Sequence, residues 1–269
     1  MMKCEQFYRN ELVRLDSYVL GPQPREENRR PRPAVIICPG SGYVRCAEVE
    51  SEAIALQFAA AGFHSFVLWY SVSELRTAPL WPEPLLDAAW AVDFVRGRAN
   101  EWSVRKDGVF LVGFSAGGHL AASLCVHWAR PEVRSAYPLS RPDGSILGYP
   151  VITSGEYAHQ GSIDSLTAGD PDLLKLARLE DFVGPDTPPA FLWHTFTDEA
   201  VPVQNSLLYA AALAKHGVPF ELHVFPEGRH GLSLANPETG CEASPNNRHM
   251  ARWLDLCAEW IKLRAGEPF

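Results

Sequence analysis

The sequence predicts an α/β protein with a mostly parallel central sheet and helices on both of its faces. Two observations carry this. Short, nearly continuous apolar runs bounded by Gly, Pro or Asp recur along the chain, as strands buried on both faces must read. Amphipathic segments with apolar residues at helical spacing separate them, which is the alternation of βαβ units.

In chain order the predicted strands are PAVIICP (33–39), HSFVLWYSV (64–72), DGVFLVGF (107–114), SILGYPVI (145–152), PAFLWHTF (189–196) and FELHVFP (220–226). Predicted helices cover 48–61, 84–98, 115–128, 203–216 and 247–263. Two regions break this rhythm. Residues 10–32 hold ELVRLDSYVLGPQP, read as an antiparallel edge hairpin, followed by the charged, proline-rich turn REENRRPRP. Residues 153–188 form a long irregular insertion with one helix predicted over 171–179, and insertions of that length between core strands more often make lids or binding loops than slack. With no internal repeat and no linker composition, residues 1–269 read as a single domain.

At 269 residues, 46% hydrophobic and 21% charged, the composition is that of an ordinary globular chain. The net charge of −8 disfavours nucleic acid or anionic lipid as a partner. There is no apolar run long enough for a membrane span, and MMKCEQFYRNELVRL lacks the apolar core and cleavage site of a signal peptide, so we expect a cytoplasmic protein. The six cysteines are scattered without CxxC pairs or metal-ligand spacing, so they read as free thiols and no metal is expected.

The chemistry concentrates at VFLVGFSAGGHLAASL (109–124), where G-x-S-x-G sits between a buried strand and a small-residue helix. A sharp turn there lifts the Ser115 hydroxyl out at the carboxyl end of the sheet, beside the positive end of the helix dipole. Such a serine needs a base, and the base an orienter. His230, in PEGRHGLSL, lies just beyond the last strand and so at the same sheet edge. His119 lies one turn into the helix, carried away from the hydroxyl, and reads as a packed residue; His64, His194 and His223 fall within strands. For the acid, Asp198 in HTFTDEAVP follows a strand, with Glu199 as competitor. The order Ser115, Asp198, His230, each after its own strand, favours Asp198. CPGSGY (38–43) follows the first parallel strand and offers backbone amides that, with the Ala116 N–H, could trap an oxyanion. No GxGxxG or GxxxxGK[ST] occurs, so nucleotide binding is not expected.

Together, CPGSGY, FVLWYSV, GFSAGGHLAASL, ILGYPVI, PPAFLWHTFTDEAVPVQNSLLYAAAL and FPEGRHGLSLA resemble the α/β-hydrolase superfamily, and within it small bacterial esterases of the acetyl-xylan and feruloyl/acetyl esterase type. The resemblance implies the α/β-hydrolase fold, Ser115 as nucleophile, His230 as base, Asp198 as orienting acid, and oxyanion donors near Ser41, Gly42 and Ala116. Many relatives begin the oxyanion loop with His-Gly-Gly-Gly; here Ser41 stands in a glycine's place, and it is strained there if the position needs a positive φ. The implied reaction is hydrolysis of short-chain, acetyl-type esters of plant-type saccharides without metal or organic cofactor. Tyr43, Tyr70 and Trp81 are candidate substrate-binding aromatics near loops, alongside Tyr149 and Tyr157. The expected partner is a small-molecule ester or acetylated saccharide, and a homodimer stays open. A prolyl-oligopeptidase-type serine peptidase and a catalytically silent hydrolase fold binding a small molecule are the alternative readings.

Overall fold

Strands whose side chains alternate between two apolar destinations need helices on each side, and the computed structural model of the chain has that arrangement. It describes residues 2–21, 31–242 and 244–266. Among the described residues eight strands form one sheet: β1 (Lys3–Tyr8), β2 (Arg14–Val19), β3 (Arg32–Cys38), β4 (His64–Trp69), β5 (Val104–Phe114), β6 (Gly144–Gly148), β7 (Ala190–Thr195) and β8 (Phe220–Phe225). Their spatial order is β1-β2-β4-β3-β5-β6-β7-β8. β3 to β8 are mutually parallel, and β1 and β2 add an antiparallel edge.

The helices are α1 (Glu52–Ala60), α2 (Glu83–Gly97), α3 (Ala99–Trp102), α4 (Ala116–His127), α5 (Pro131–Ala136), α6 (Gln160–Thr167), α7 (Pro171–Leu176), α8 (Gln204–Lys215), α9 (Pro245–Met250) and α10 (Trp253–Arg264). Successive strand residues enter two separate cores. Ile36, Leu111 and Leu192 pack with Val92 of α2, Leu120 and Leu124 of α4, and Tyr209 and Leu213 of α8. Val35, Val112, Phe191 and Trp193 pack with Phe58 of α1 and with Trp253 and Trp260 of α10. The period-2 alternation of a strand sends neighbours to opposite faces, so the six continuous apolar runs are the signature of this double burial.

The edge hairpin is displaced from its expected place at 10–32. β1 precedes that range, and residues 10–13 are its turn, because the Asn10 side chain accepts the Leu12 and Val13 amides at 2.9 and 3.0 Å. Most of REENRRPRP lies outside the described residues, and Arg32 and Pro33 at its end enter β3. The helix predicted over 247–263 is two helices meeting at Ala251–Arg252, and α10 opens on Trp253, wholly buried and stacked on Trp193 at 5.1 Å.

The insertion at 153–188 is ordered into α6, α7 and a 3₁₀ turn (Leu179–Phe182). α7 is capped by Asp170, whose side chain accepts the Asp172 and Leu173 amides, and it stops at Leu176, short of the expected end. Ile163, Leu166, Ala177 and Leu179 bury into the α2/α4/α8 core. Two histidines of α4 hold the far end of the insertion: His119 Nε2 lies 3.0 Å from Ala177 O, and His127 Nε2 3.0 Å from Leu176 O.

Candidate active site

The turn at Ser115 is set by how closely its backbone must pass its neighbours. A Cβ at Gly113 would lie 2.2 Å from the Gly117 carbonyl oxygen, and one at Gly117 would lie 2.0 Å from the Cys38 carbonyl oxygen. Strand β5, helix α4 and the end of β3 therefore meet backbone to backbone, which only glycine allows. Ser115 itself takes φ 53° and ψ −120°, a strained conformation for a residue with a Cβ. Its amide donates to Gly148 O at 3.0 Å, and its carbonyl accepts from Val151 and His119, so the strained turn is held on three sides.

Ser115 Oγ lies 2.8 Å from His230 Nε2, and His230 Nδ1 lies 2.7 Å from Asp198 Oδ2. A carboxylate only accepts, so Nδ1 carries the ring proton and Nε2 is left to accept from the serine hydroxyl. Ser115 is 5% exposed, and the Asp198 side chain is fully buried. Asp198 Oδ1 takes the Ala200 and Val201 amides at 3.0 and 2.9 Å, while His194 Nε2 approaches Oδ2 at 3.5 Å. Burial alone would raise this carboxyl, yet the hydrogen bonds from His194 and His230 outweigh it and hold the group well below the usual carboxylate range. Glu199 is exposed and outside this arrangement.

The loop after β3 comes up against the serine. Ser41 has φ 100° and Gly42 φ 69°, so Ser41 does occupy a left-handed conformation that favours glycine. Ala116 is the first residue of α4. Among the described residues the Ser41, Gly42 and Ala116 amides find no protein acceptor. The loop that bears His230 is tied to the one bearing Asp198: Gly228 O accepts the Thr195 and Thr197 hydroxyls at 2.9 and 3.2 Å.

Two of the three aromatic candidates are buried. Tyr43 and Tyr70 are each 1% exposed. The Tyr43 hydroxyl meets His119 Nδ1 at 2.9 Å, and the Tyr70 hydroxyl donates to Pro39 O at 2.6 Å, so both brace the loop from beneath. Trp81 packs edge-on against His127 at 5.6 Å, eleven residues into α4 and thus about 16 Å along that helix from Ala116. For Tyr43 and Tyr70 this burial corrects the sequence reading, since aromatics beside loops are ambiguous between lining and support, whereas Trp81 is half-buried. His119, in contrast, is the fully buried helix residue expected, and His64 and His194 are buried in their strands.

Three neighbouring residues have no part in the site as read from the sequence. His194 approaches the Asp198 carboxylate from β7. His159 caps α6, accepting the Ser162 amide at 3.3 Å; burial, reinforced by nearby His230, lowers its pKa. Glu50 reaches the loop after β3 from the turn before α1. Among the described residues no group of three or more His, Cys, Asp or Glu is placed to hold a metal ion, and no helix is long and apolar enough to cross a membrane.

Comparison with known proteins fits this geometry. Residues 22–136 match the BD-FAE family model, and residues 91–262 match that of the prolyl oligopeptidase family. The chain is 40% identical over 214 residues to endo-1,4-beta-xylanase B of Butyrivibrio fibrisolvens, covering 77% of this chain and 33% of that protein. It is 30% identical over 210 residues to the acetylxylan esterase of Xylanibacter ruminicola, covering 75% of this chain and 41% of that one. It thus spans less than half the length of these two curated relatives. The crystal structure of an acetyl ester-xyloside bifunctional hydrolase from Caldicellulosiruptor lactoaceticus superposes with a TM-score of 0.82 at 35% identity, covering 99% of this chain and 97% of the other.

Proposed function

The chain belongs to the α/β-hydrolase superfamily, among esterases that resemble acetylxylan esterases, and from that premise we propose that it hydrolyses short-chain, acetyl-type esters of plant-type saccharides through an acyl-enzyme on Ser115. The observation that carries the proposal is the relay of two short contacts, Ser115 Oγ to His230 Nε2 at 2.8 Å and His230 Nδ1 to Asp198 Oδ2 at 2.7 Å.

The chemistry follows from that relay. His230 Nε2 takes the hydroxyl proton as Ser115 Oγ attacks the ester carbonyl, and the buried Asp198 carboxylate stabilises the imidazolium that results. The Ser41, Gly42 and Ala116 amides, at the positive end of α4, hold the oxyanion; each such donor is worth roughly 3–4 kcal/mol in related sites. His230 then protonates the leaving alcohol and activates a water that releases the acid. This sequence of steps needs only groups of the chain and water. The acetyl and xylan parts of the reading rest on what the relatives are named for. Six unpaired cysteines support a cytoplasmic, reducing location.

The match to the prolyl oligopeptidase model favours a second reading, cleavage of peptide amides by the same relay. One experiment separates the two. Hydrolysis of p-nitrophenyl esters from acetate to octanoate, of acetylated xylo-oligosaccharides and of peptide anilides is measured for the wild type and Ser115→Ala. The proposal requires fastest turnover on acetate, release of acetate from the oligosaccharides, and loss of both in the variant. Anilide cleavage outpacing ester cleavage supports the peptidase, and ester turnover that survives Ser115→Ala removes the serine from its role.

A further inference from the structure

A buried carboxylate lies behind the reacting groups and takes no part in the relay. Glu50 ends the 3₁₀ turn Glu48–Glu50 and is 3% exposed. Its Oε2 accepts the Gly40 amide at 2.6 Å, and its Oε1 accepts the Tyr149 hydroxyl at 2.6 Å. Tyr149 Oη in turn accepts the Ser233 amide at 3.0 Å, three residues past His230. The Tyr149 ring meets the His230 ring edge-on, with centroids 4.9 Å apart. The Ser233 hydroxyl then donates to Val49 O at 2.6 Å, one residue before Glu50, and closes the circuit.

A carboxylate withdrawn this far from water is costly, and an apolar side chain of similar volume would pack there without that cost. What Glu50 supplies is a rigid bridge with two acceptors. Gly40 passes directly against the serine: a Cβ there would lie 2.6 Å from Phe114 O and 2.9 Å from Ser115 Cβ. Where Gly40 sits therefore determines how far the following Ser41 and Gly42 amides stand from Ser115 Oγ. We infer that Glu50 is a positioning residue that sets the oxyanion loop and the His230 loop against one another, through Gly40 on one side and Tyr149 on the other. The inference rests on the proposed roles of Ser115, His230 and those amides.

The test compares the wild type with Glu50→Ala, Glu50→Gln, Tyr149→Phe, the Glu50→Ala/Tyr149→Phe double variant and Ser115→Ala. Steady-state kcat and KM on p-nitrophenyl acetate are expressed per serine labelled to completion with a fluorophosphonate. Glu50→Ala is expected to lose roughly 100-fold in kcat per labelled site, the scale of a lost oxyanion donor, with KM within threefold. Glu50→Gln can accept from Gly40 and donate to Tyr149, and recovers at least tenfold of that loss. Tyr149→Phe keeps the ring on His230 but drops both hydrogen bonds, and loses at least tenfold. The double variant falls no lower than its weaker parent, because both substitutions open one circuit. If Glu50→Ala does not fold, Glu50→Gln and Tyr149→Phe carry the test, with Gln the more active of the two. A purely structural Glu50 would reduce the labelled fraction and leave kcat per labelled site at the wild-type value, which overturns the inference. So does an additive double variant. A dead Ser115→Ala beside fully active Glu50 and Tyr149 variants overturns this inference alone, whereas an active Ser115→Ala overturns the catalytic reading beneath it as well.

Discussion

Replacing Asp198 by asparagine is expected to leave the fold standing and remove nearly all activity. Asp198 Oδ1 accepts two backbone amides, those of Ala200 and Val201, at 3.0 and 2.9 Å. Only the oxygen of the new amide can accept them, and two such hydrogen bonds at about 1 kcal/mol each fix its orientation. The NH2 then stands where Oδ2 stood, 2.7 Å from His230 Nδ1, and donates to it. The ring proton is driven to Nε2, which faces Ser115 Oγ at 2.8 Å. In that tautomer the imidazole donates to the serine and cannot take its proton. The same exchange in another Ser–His–Asp enzyme lowers kcat by about 10⁴-fold, equivalent to about 5 kcal/mol of barrier. The assay is kcat on p-nitrophenyl acetate, with circular dichroism to confirm the fold. A folded Asp198→Asn variant within tenfold of the wild-type kcat would refute the tautomer argument and the role given to His230.

Two further outcomes follow from buried polar groups. Tyr43→Phe leaves His119 Nδ1 without its main partner, with only Ser123 Oγ nearby at 3.4 Å, and is expected to cost about 1–3 kcal/mol in urea denaturation; an unchanged midpoint counts against the Tyr43–His119 bond. His64, His119 and His127 are buried, and burial lowers each to about 4 from an ordinary 6.5. Between these values the unfolded chain binds the extra protons, so their contribution is complete above pH 6.5 and lost as pH falls toward 4. By pH 5 the loss is about 2 kcal/mol for a fully buried imidazole, while the raised carboxyls of Glu50 and Asp87 act in the opposite sense. Urea midpoints at pH 7.5, 6 and 5 are therefore expected to fall steadily, and a flat series would contradict this assignment.

Much of the site was legible because its requirements are local. A strand, G-F-S-A-G and a small-residue helix together state that backbones must pass within contact of one another, and Gly113 and Gly117 do so. Asp198 and His230 could be read because each follows an apolar run that has to be a parallel strand. β1 escaped notice since KCEQFY is an exposed edge strand and leaves no apolar run. α6 escaped because its short stretch buries only Ile163 and Leu166 among apolar residues. Glu50 carries no local signal at all: it reads as part of the amphipathic helix predicted over 48–61, and its meaning comes from Tyr149, ninety-nine positions away. Tyr43 and Tyr70 show the limit from the other side, since nothing in a loop sequence says whether a tyrosine faces the solvent or the core.

The two histidines of α4 that grip the insertion have a consequence for how such a protein can diversify. The helix that follows Ser115 ends up holding Ala177 and Leu176 of the insertion. Ser115 and the insertion thus share one mechanical element. A replacement for residues 153–188 without carbonyls in register with His119 and His127 would leave two buried imidazole N–H groups unpaired. The insertion is therefore not a freely exchangeable cassette: a change in its length or path has to be matched by the far turns of the helix beneath it.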